Sequence, residues 1–211
     1  MSFLKPFALH NGFICWEKRS KEMNNYYKDN KDEFINSTIN CDMSYHYNLF
    51  EKYLNSNAKT ILDIGFGSGR DSLYFSNKYE VYSIDPEQGF CNHAIELGLK
   101  NVYCMRVQDL EYKNMFDGIW ACASLLHIPS YELVMVLTKC YDALKVNGVM
   151  YCSFKYGDYE GERNGRYFID LIEERFRQYV AKTKFEILEV SITHDVRPDK
   201  TEQWLNVVMK K

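Results

Sequence analysis

The sequence predicts an α/β fold: a seven-stranded, mostly parallel sheet with an antiparallel last strand and helices on both faces. Three observations carry this expectation. Short apolar runs rich in β-branched residues alternate with stretches of helical periodicity from Thr60 onward. A glycine-rich turn, Gly65-Phe66-Gly67-Ser68-Gly69, stands between the first such run and the first such helix. The last two strand-like runs are separated by only about ten residues without helical pattern, too few for a crossover.

Each element follows from its own signal. Residues 60–64 are a compact apolar run and read as the first strand, and residues 70–78 read as the first helix. Residues 80–84 form a second strand, and residues 87–97 a helix that Gly98 stops. Residues 102–107 and 116–122 are strands three and four. Pro129 and Ser130 open a helix with Leu133, Val136, Leu137, Cys140, Tyr141 and Leu144 at helical spacing. Residues 148–154 are strand five, residues 157–165 a polar loop, and residues 167–180 a helix. Residues 185–193 and 204–209 are the closing strands. Strand–helix alternation implies right-handed crossovers that cover both faces of the sheet. The closing pair reads as a hairpin, so one reversed strand is expected at the edge. Residues 1–58 read as an N-terminal helical extension that caps the ligand crevice, and residues 59–211 as the ligand-binding domain, in one compact unit. The role of the aromatic-rich first 20 residues (Phe3, Phe7, Phe13, Trp16) stays open between core packing, a subunit contact and a lid.

Composition narrows the function. The chain has 211 residues, of which 46% are hydrophobic and 26% charged, an ordinary globular balance for one domain. A net charge of −3 offers no global basic field for a polyanion, which argues against a nucleic-acid partner. The seven cysteines form no C-x-x-C pair, so a disulfide framework or a zinc knuckle is not expected. Reduced thiols of a cytoplasmic protein are the simpler reading. Lys5 and Pro6 interrupt the apolar start of the chain, unlike a signal peptide, and no run reaches the roughly 20 apolar residues of a membrane span.

Open α/β sheets bind ligands at the carboxyl ends of their strands, at the topological switch point. Gly65 and Gly67 let the backbone turn tightly there and approach a ligand closely. Strand two ends at Asp85, about 20 residues past the glycines, where a carboxylate accepts hydrogen bonds from ribose hydroxyls. A dinucleotide site needs a third glycine three residues after the second; that position is Arg70. A ribose-bearing cofactor without a pyrophosphate fits better.

The segment Asp63-Ile64-Gly65-Phe66-Gly67-Ser68-Gly69 resembles motif I of the class I S-adenosylmethionine-dependent methyltransferases, which have a Rossmann-like fold. Asp85-Pro86 is similar to that family's acid after strand two. Gln108-Asp109 resembles the segment whose acidic side chain meets adenine, which implies that role for Asp109. Leu144-Lys145-Val146-Asn147-Gly148 is similar to the family's turn into strand five, with Val146 and Asn147 departing from its usual proline and glycine. The likeness extends over roughly residues 60–211 and loosely includes small bacterial enzymes of the tellurite and thiopurine type. It implies S-adenosylmethionine as cofactor and S-adenosylhomocysteine as product. The cofactor residues it implies are Tyr27, Asp63, Gly65, Phe66, Gly67, Arg70, Asp85, Pro86, Gln108, Asp109 and Cys122. The cofactor carboxylate would meet Arg70 or loop N–H groups, and its ammonium Asp63 or a main-chain carbonyl.

The acceptor is expected to be a small molecule. After strand four stands Cys122-Ala123-Ser124, not the proline-rich turn of amino-methylating nucleic-acid enzymes, and no proline precedes a cysteine. His127 is the candidate base or orienting group, because imidazole titrates near neutrality. Tyr26, Tyr156, Arg197 and Trp204 are the candidate acceptor residues, Arg197 as a bidentate clamp or as the ion-pair partner of Asp195 or Glu202. Three alternatives stand beside this reading: a nucleotide-dependent oxidoreductase, a non-catalytic S-adenosylmethionine-sensing module, and an RNA methyltransferase that needs a partner. The oligomeric state is not legible.

Overall fold

The computed structural model describes residues 26–211. A helical turn at residues 26–29 leads into α1 (Lys31–Thr38), followed by α2 (Ser44–Glu51). Strands and helices then alternate: β1 (Thr60–Ile64), α3 (Arg70–Ser76), β2 (Glu80–Asp85), α4 (Gln88–Glu96), β3 (Asn101–Cys104), β4 (Phe116–Ala121), α5 (Ser130–Ala143) and β5 (Leu144–Lys155). A hairpin of β6 (Glu160–Arg163) and β7 (Arg166–Ile169) precedes α6 (Glu173–Val180), β8 (Glu186–His194) and β9 (Gln203–Lys210). Single 3₁₀ turns at Val107–Asp109 and Leu125–His127 follow β3 and β4. The aromatic-rich start of the chain lies outside the described residues.

The seven-stranded sheet has the order β3-β2-β1-β4-β5-β9-β8. β9 runs antiparallel to both neighbours, and the pairs from β3 to β5 are parallel. The last strand is the reversed one, as expected, but it is not at the edge. It lies between β5 and β8. The reason is burial: five consecutive residues of β9, Leu205 to Met209, are buried on both faces, whereas β8 is a run of half-exposed positions that suits an edge.

Alternation along each strand sorts side chains into two core layers. Ile61, Trp120, Tyr151 and Val208 pack with Phe50 of α2 and Phe75 of α3 on one face. Leu62, Ile119, Cys152 and Met209 pack with Leu133 and Leu137 of α5 and Phe176 of α6 on the other. Trp120 stacks on Tyr151 with ring centroids 4.1 Å apart, which binds β4 to β5 beneath the loops that follow them.

Two local expectations are corrected. Residues 157–165 are not simply a loop, and the helix does not start at residue 167. Asn164 and Gly165 both have positive φ, the two-residue turn that matches strand twist, and they close the β6–β7 hairpin. Tyr167, Phe168 and Ile169 are consecutive buried strand residues, so α6 starts only at Glu173.

Candidate active site

Strand order reverses between β1 and β4, and the crevice opens at their carboxyl ends. The chain turns immediately after Ile64. Gly65 donates its N–H to the Ile84 carbonyl at 2.7 Å, tying the loop to the end of β2. Its φ is +70°, and a Cβ there would stand 2.4 Å from the Ser124 Cβ, so only glycine lets the loops after β1 and β4 meet. At Gly67, φ is +51° and a Cβ would fall 2.8 Å from the Phe34 ring, which lies over the loop from α1. Gly67 donates its N–H to Asp85 Oδ2 at 3.1 Å, and Glu87 donates its N–H to Oδ1 at 2.9 Å. Burial pushes the Asp85 carboxyl up to about 7, with the two backbone donors opposing it.

Two adjoining cavities occupy the crevice. The smaller, about 140 Å³, lies over the ends of β1 and β2 and is lined by Asp85, Pro86, Met105, Gln108 and Ile128. The buried Ser124 hydroxyl also faces it and has no hydrogen-bond partner. The larger, about 410 Å³, lies over the ends of β4, β5 and β9. Tyr27, Phe34, Gly65, Gly67, Ala123 and His127 line both cavities and therefore mark their junction. Ala123 holds φ at +50°, uncommon without glycine, and its N–H is fixed by a 2.9 Å bond to the Ser153 hydroxyl.

Tyr27 and His127 meet at this junction. The Tyr27 hydroxyl lies 2.8 Å from His127 Nε2, and His127 Nδ1 lies 2.7 Å from the Tyr167 carbonyl oxygen. A carbonyl can only accept, so Nδ1 carries the proton and Nε2 accepts from Tyr27. Burial holds the imidazole down to about 4, which leaves it neutral at pH 7. Tyr27 is raised by burial, so its hydroxyl stays protonated. Edge contacts with Phe34 and Phe90, at centroid distances of 5.4 and 5.9 Å, pack the Tyr27 ring over the glycine loop.

The structure brings together most of the residues singled out from sequence. Tyr27, Gly65, Phe66, Gly67, Arg70, Asp85, Pro86, Gln108, Cys122, His127, Arg197 and Trp204 each line at least one cavity. Asp63, Asp109, Tyr26 and Tyr156 line neither. Asp63 is 1% exposed and accepts from the Ser72 hydroxyl at 2.6 Å. Burial and the neighbouring Asp71 push its carboxyl well above the usual range. Asp109 is turned outward into a bidentate pair with Arg106, which holds it below the usual range. Tyr26 lies under the Arg166 guanidinium, 4.3 Å from its ring centroid.

Some residues that do line the crevice are already engaged. Arg70 spends three of its donors on Asp71, at 2.6 and 2.9 Å, and on the Thr38 carbonyl at 3.3 Å. Asp71 also accepts from Tyr47 at 2.6 Å and Trp120 at 2.9 Å, so Arg70 links the end of α1 to the core. The Arg197 fork is closed on Asp195, which also accepts from Trp204. Burial raises the Cys122 thiol to about 12, so it offers no thiolate at neutral pH. Sequence reasoning missed Arg163, Arg166 and Phe168, which the hairpin brings to the larger cavity.

Comparison with known proteins agrees with this geometry. Residues 61–148 match the family model of a methyltransferase domain. The structure is similar to the 1,6-didemethyltoxoflavin-N1-methyltransferase of Burkholderia thailandensis with bound 1,6-didemethyltoxoflavin and S-adenosylhomocysteine (TM-score 0.76, 19% identity, 99% of this chain and 93% of that one). It is also similar to a SAM-dependent methyltransferase of Methanosarcina mazei (TM-score 0.66, 18% identity, 77% and 96% covered). The [4+2]-cyclase SpnF shares the architecture as well (TM-score 0.65, 16% identity, 79% and 80% covered). The phosphoethanolamine N-methyltransferase of Plasmodium falciparum is 27% identical over 154 residues, 68% of this chain and 53% of that protein. This chain thus spans about half the length of that curated relative. Fold and crevice define a Rossmann-like architecture with its cavities at the switch point. The matched segment is similar to a methyltransferase domain, and the architecture is that of solved S-adenosylmethionine-dependent methyltransferases.

Proposed function

We propose that the protein binds S-adenosylmethionine across the junction of the two cavities and transfers its methyl group to a small-molecule acceptor in the larger one. The observation that carries this reading is the pair of cavities meeting at Gly65, Gly67, Tyr27 and His127, with Asp85 lining the smaller. The donor set fits the cofactor. Asp85 stands where ribose hydroxyls need an acceptor, Ile84, Phe90, Met105 and Ile128 give the smaller cavity apolar walls for adenine, and the unpartnered Ser124 hydroxyl adds a polar contact. The cofactor supplies an activated methyl group on a sulfonium, so the protein's task is placement. In-line placement alone can supply roughly 7–11 kcal/mol of barrier lowering.

His127 acts as an orienting group in this reading. A neutral imidazole held near 4 accepts a proton poorly at pH 7, but it fixes the Tyr27 hydroxyl where donor and acceptor meet. Residues 26–58 serve as the cap in this reading, with Phe34 and Tyr27 closing on the glycine loop. The relatives act on small molecules by name, phosphoethanolamine and 1,6-didemethyltoxoflavin, which supports that acceptor class. The family model supports the activity, whereas fold alone does not, since SpnF shares it. Among the described residues no helix is long and apolar enough to cross a membrane.

Isothermal calorimetry with S-adenosylhomocysteine, and NADH as the control, tests the assignment. Micromolar binding of the first alone is expected. Binding of NADH alone would return Asp85 to a dinucleotide ribose and overturn it.

A further inference from the structure

The wall of the larger cavity formed by the β6–β7 hairpin carries an unbalanced positive charge. Three cations converge on one ring: Arg163 lies 4.7 Å, Arg166 5.1 Å and Lys155 5.5 Å from the Phe168 centroid. Arg163 and Arg166 stand directly opposite each other in the hairpin register, where like charges destabilise a strand pair. Two of the three have acids. Lys155 pairs with Glu202 at 2.8 Å and Arg163 with Asp170 at 2.5 Å. Arg166 has none, and its buried Nε has no hydrogen-bond partner.

The remaining acids on the cavity wall are spent in the same way, Asp71 on Arg70 and Asp195 on Arg197. Arg166 is thus the unneutralised charge of the cluster. Its guanidinium is stacked on Tyr26, 4.3 Å from the centroid, which fixes its plane beside the Tyr27–His127 junction. The guanidinium also reaches the Tyr27 hydroxyl, but no acid answers its charge and its Nε has no partner, so a planar fork held by stacking at the cavity wall suits an oxyanion.

We propose that Arg166, with Lys155 and Arg163 beside it, forms a subsite for an anionic oxygen group, a carboxylate or a phosphate, carried by the methyl acceptor. The inference rests on the methyl-transfer reading and names its substrate class. The anion docks on the hairpin wall, and the nucleophilic atom at the acceptor's other end reaches the junction at Tyr27. Arg166 then selects acceptors by charge, a role that requires neither proton transfer nor bond making.

The test is calorimetric titration of inorganic phosphate and, separately, acetate into the full chain, free and saturated with S-adenosylhomocysteine. The expected result is saturable millimolar binding of at least one anion that persists in the S-adenosylhomocysteine complex. Arg166→Gln should weaken it at least tenfold, Arg166→Lys should restore part of it, and Arg177→Gln on exposed α6 should leave it unchanged. Stronger phosphate binding assigns a phosphoryl group, and stronger acetate binding a carboxylate. No saturable binding of either anion, or equal binding in Arg166→Gln, overturns the proposal. So does a loss of S-adenosylhomocysteine affinity in Arg166→Gln with no anion binding to the complex, since the arginine would then hold the cofactor's own carboxylate. If the wild type binds phosphate through Arg166 but not S-adenosylhomocysteine, the cofactor reading fails and the anion subsite stands.

Discussion

With Asp85 as the proposed ribose acceptor, cofactor binding should be sensitive to pH near neutrality, with a sign set by the burial of that carboxyl. The carboxyl is held at about 7 by burial. Ribose hydroxyls donate to a carboxylate, so binding selects the ionised form, and affinity for S-adenosylhomocysteine should rise with pH through 7. A group with pKa near 7 is about a tenth ionised at pH 6 and about nine tenths at pH 8, so the dissociation constant should tighten roughly tenfold, about 1.4 kcal/mol. At pH 7 about half a proton should leave on binding, which calorimetry in two buffers of different ionisation enthalpy reads directly. Stability is the wrong observable. Asp85 is raised above its ordinary value, so its contribution to the free fold is complete at low pH and is lost as pH rises through 7. His127 is lowered, so its contribution is present above 6.5 and is lost as pH falls toward 4. Between pH 6 and 8 the two change stability in opposite directions by about 1 kcal/mol each, whereas affinity isolates Asp85. In Asp85→Asn one amide group would turn its own donor toward the Gly67 or Glu87 N–H, and affinity at pH 8 should fall at least tenfold and become flat with pH. A wild-type affinity that does not change between pH 6 and 8, or the same slope in Asp85→Asn, refutes the reasoning.

Two further outcomes follow from the junction. Gly67→Ala puts a Cβ 2.8 Å from the Phe34 ring at φ +51°, a left-handed backbone costing roughly 1–2 kcal/mol for an L-residue. It should lower the melting temperature modestly and S-adenosylhomocysteine affinity by an order of magnitude or more; unchanged affinity would show that the Phe34 cover is irrelevant to the site. The His127 ring, followed by NMR, should keep its neutral Nδ1–H tautomer down to pH 5, and a midpoint near 6.5 would return it to the role of general base.

What was legible in the sequence was what local chemistry dictates. The strand that ends at Ile64, the glycine loop and the acid at Asp85 are contiguous signals, and the fold brings their residues together by adjacency of β1 and β2. The β6–β7 hairpin was less legible because its strands carry Glu and Arg instead of an apolar alternation, although Asn164-Gly165 is a two-residue hairpin turn in plain view. Reading that dipeptide as a turn puts Arg163 opposite Arg166 and reveals the charged wall. Asp63 and Asp109 line neither cavity, and the sequence does not show this for a different reason. An acid beside a ligand loop looks the same in sequence whether its side chain faces the ligand, the core or solvent. Only the partners decide: Ser72 draws Asp63 inward, and Arg106 draws Asp109 outward. The same logic separates Arg166 from Arg70 and Arg197, identical in type and all at the cavity. Two were answered by Asp71 and Asp195, and the third was left with an unanswered charge beside the place where chemistry is proposed.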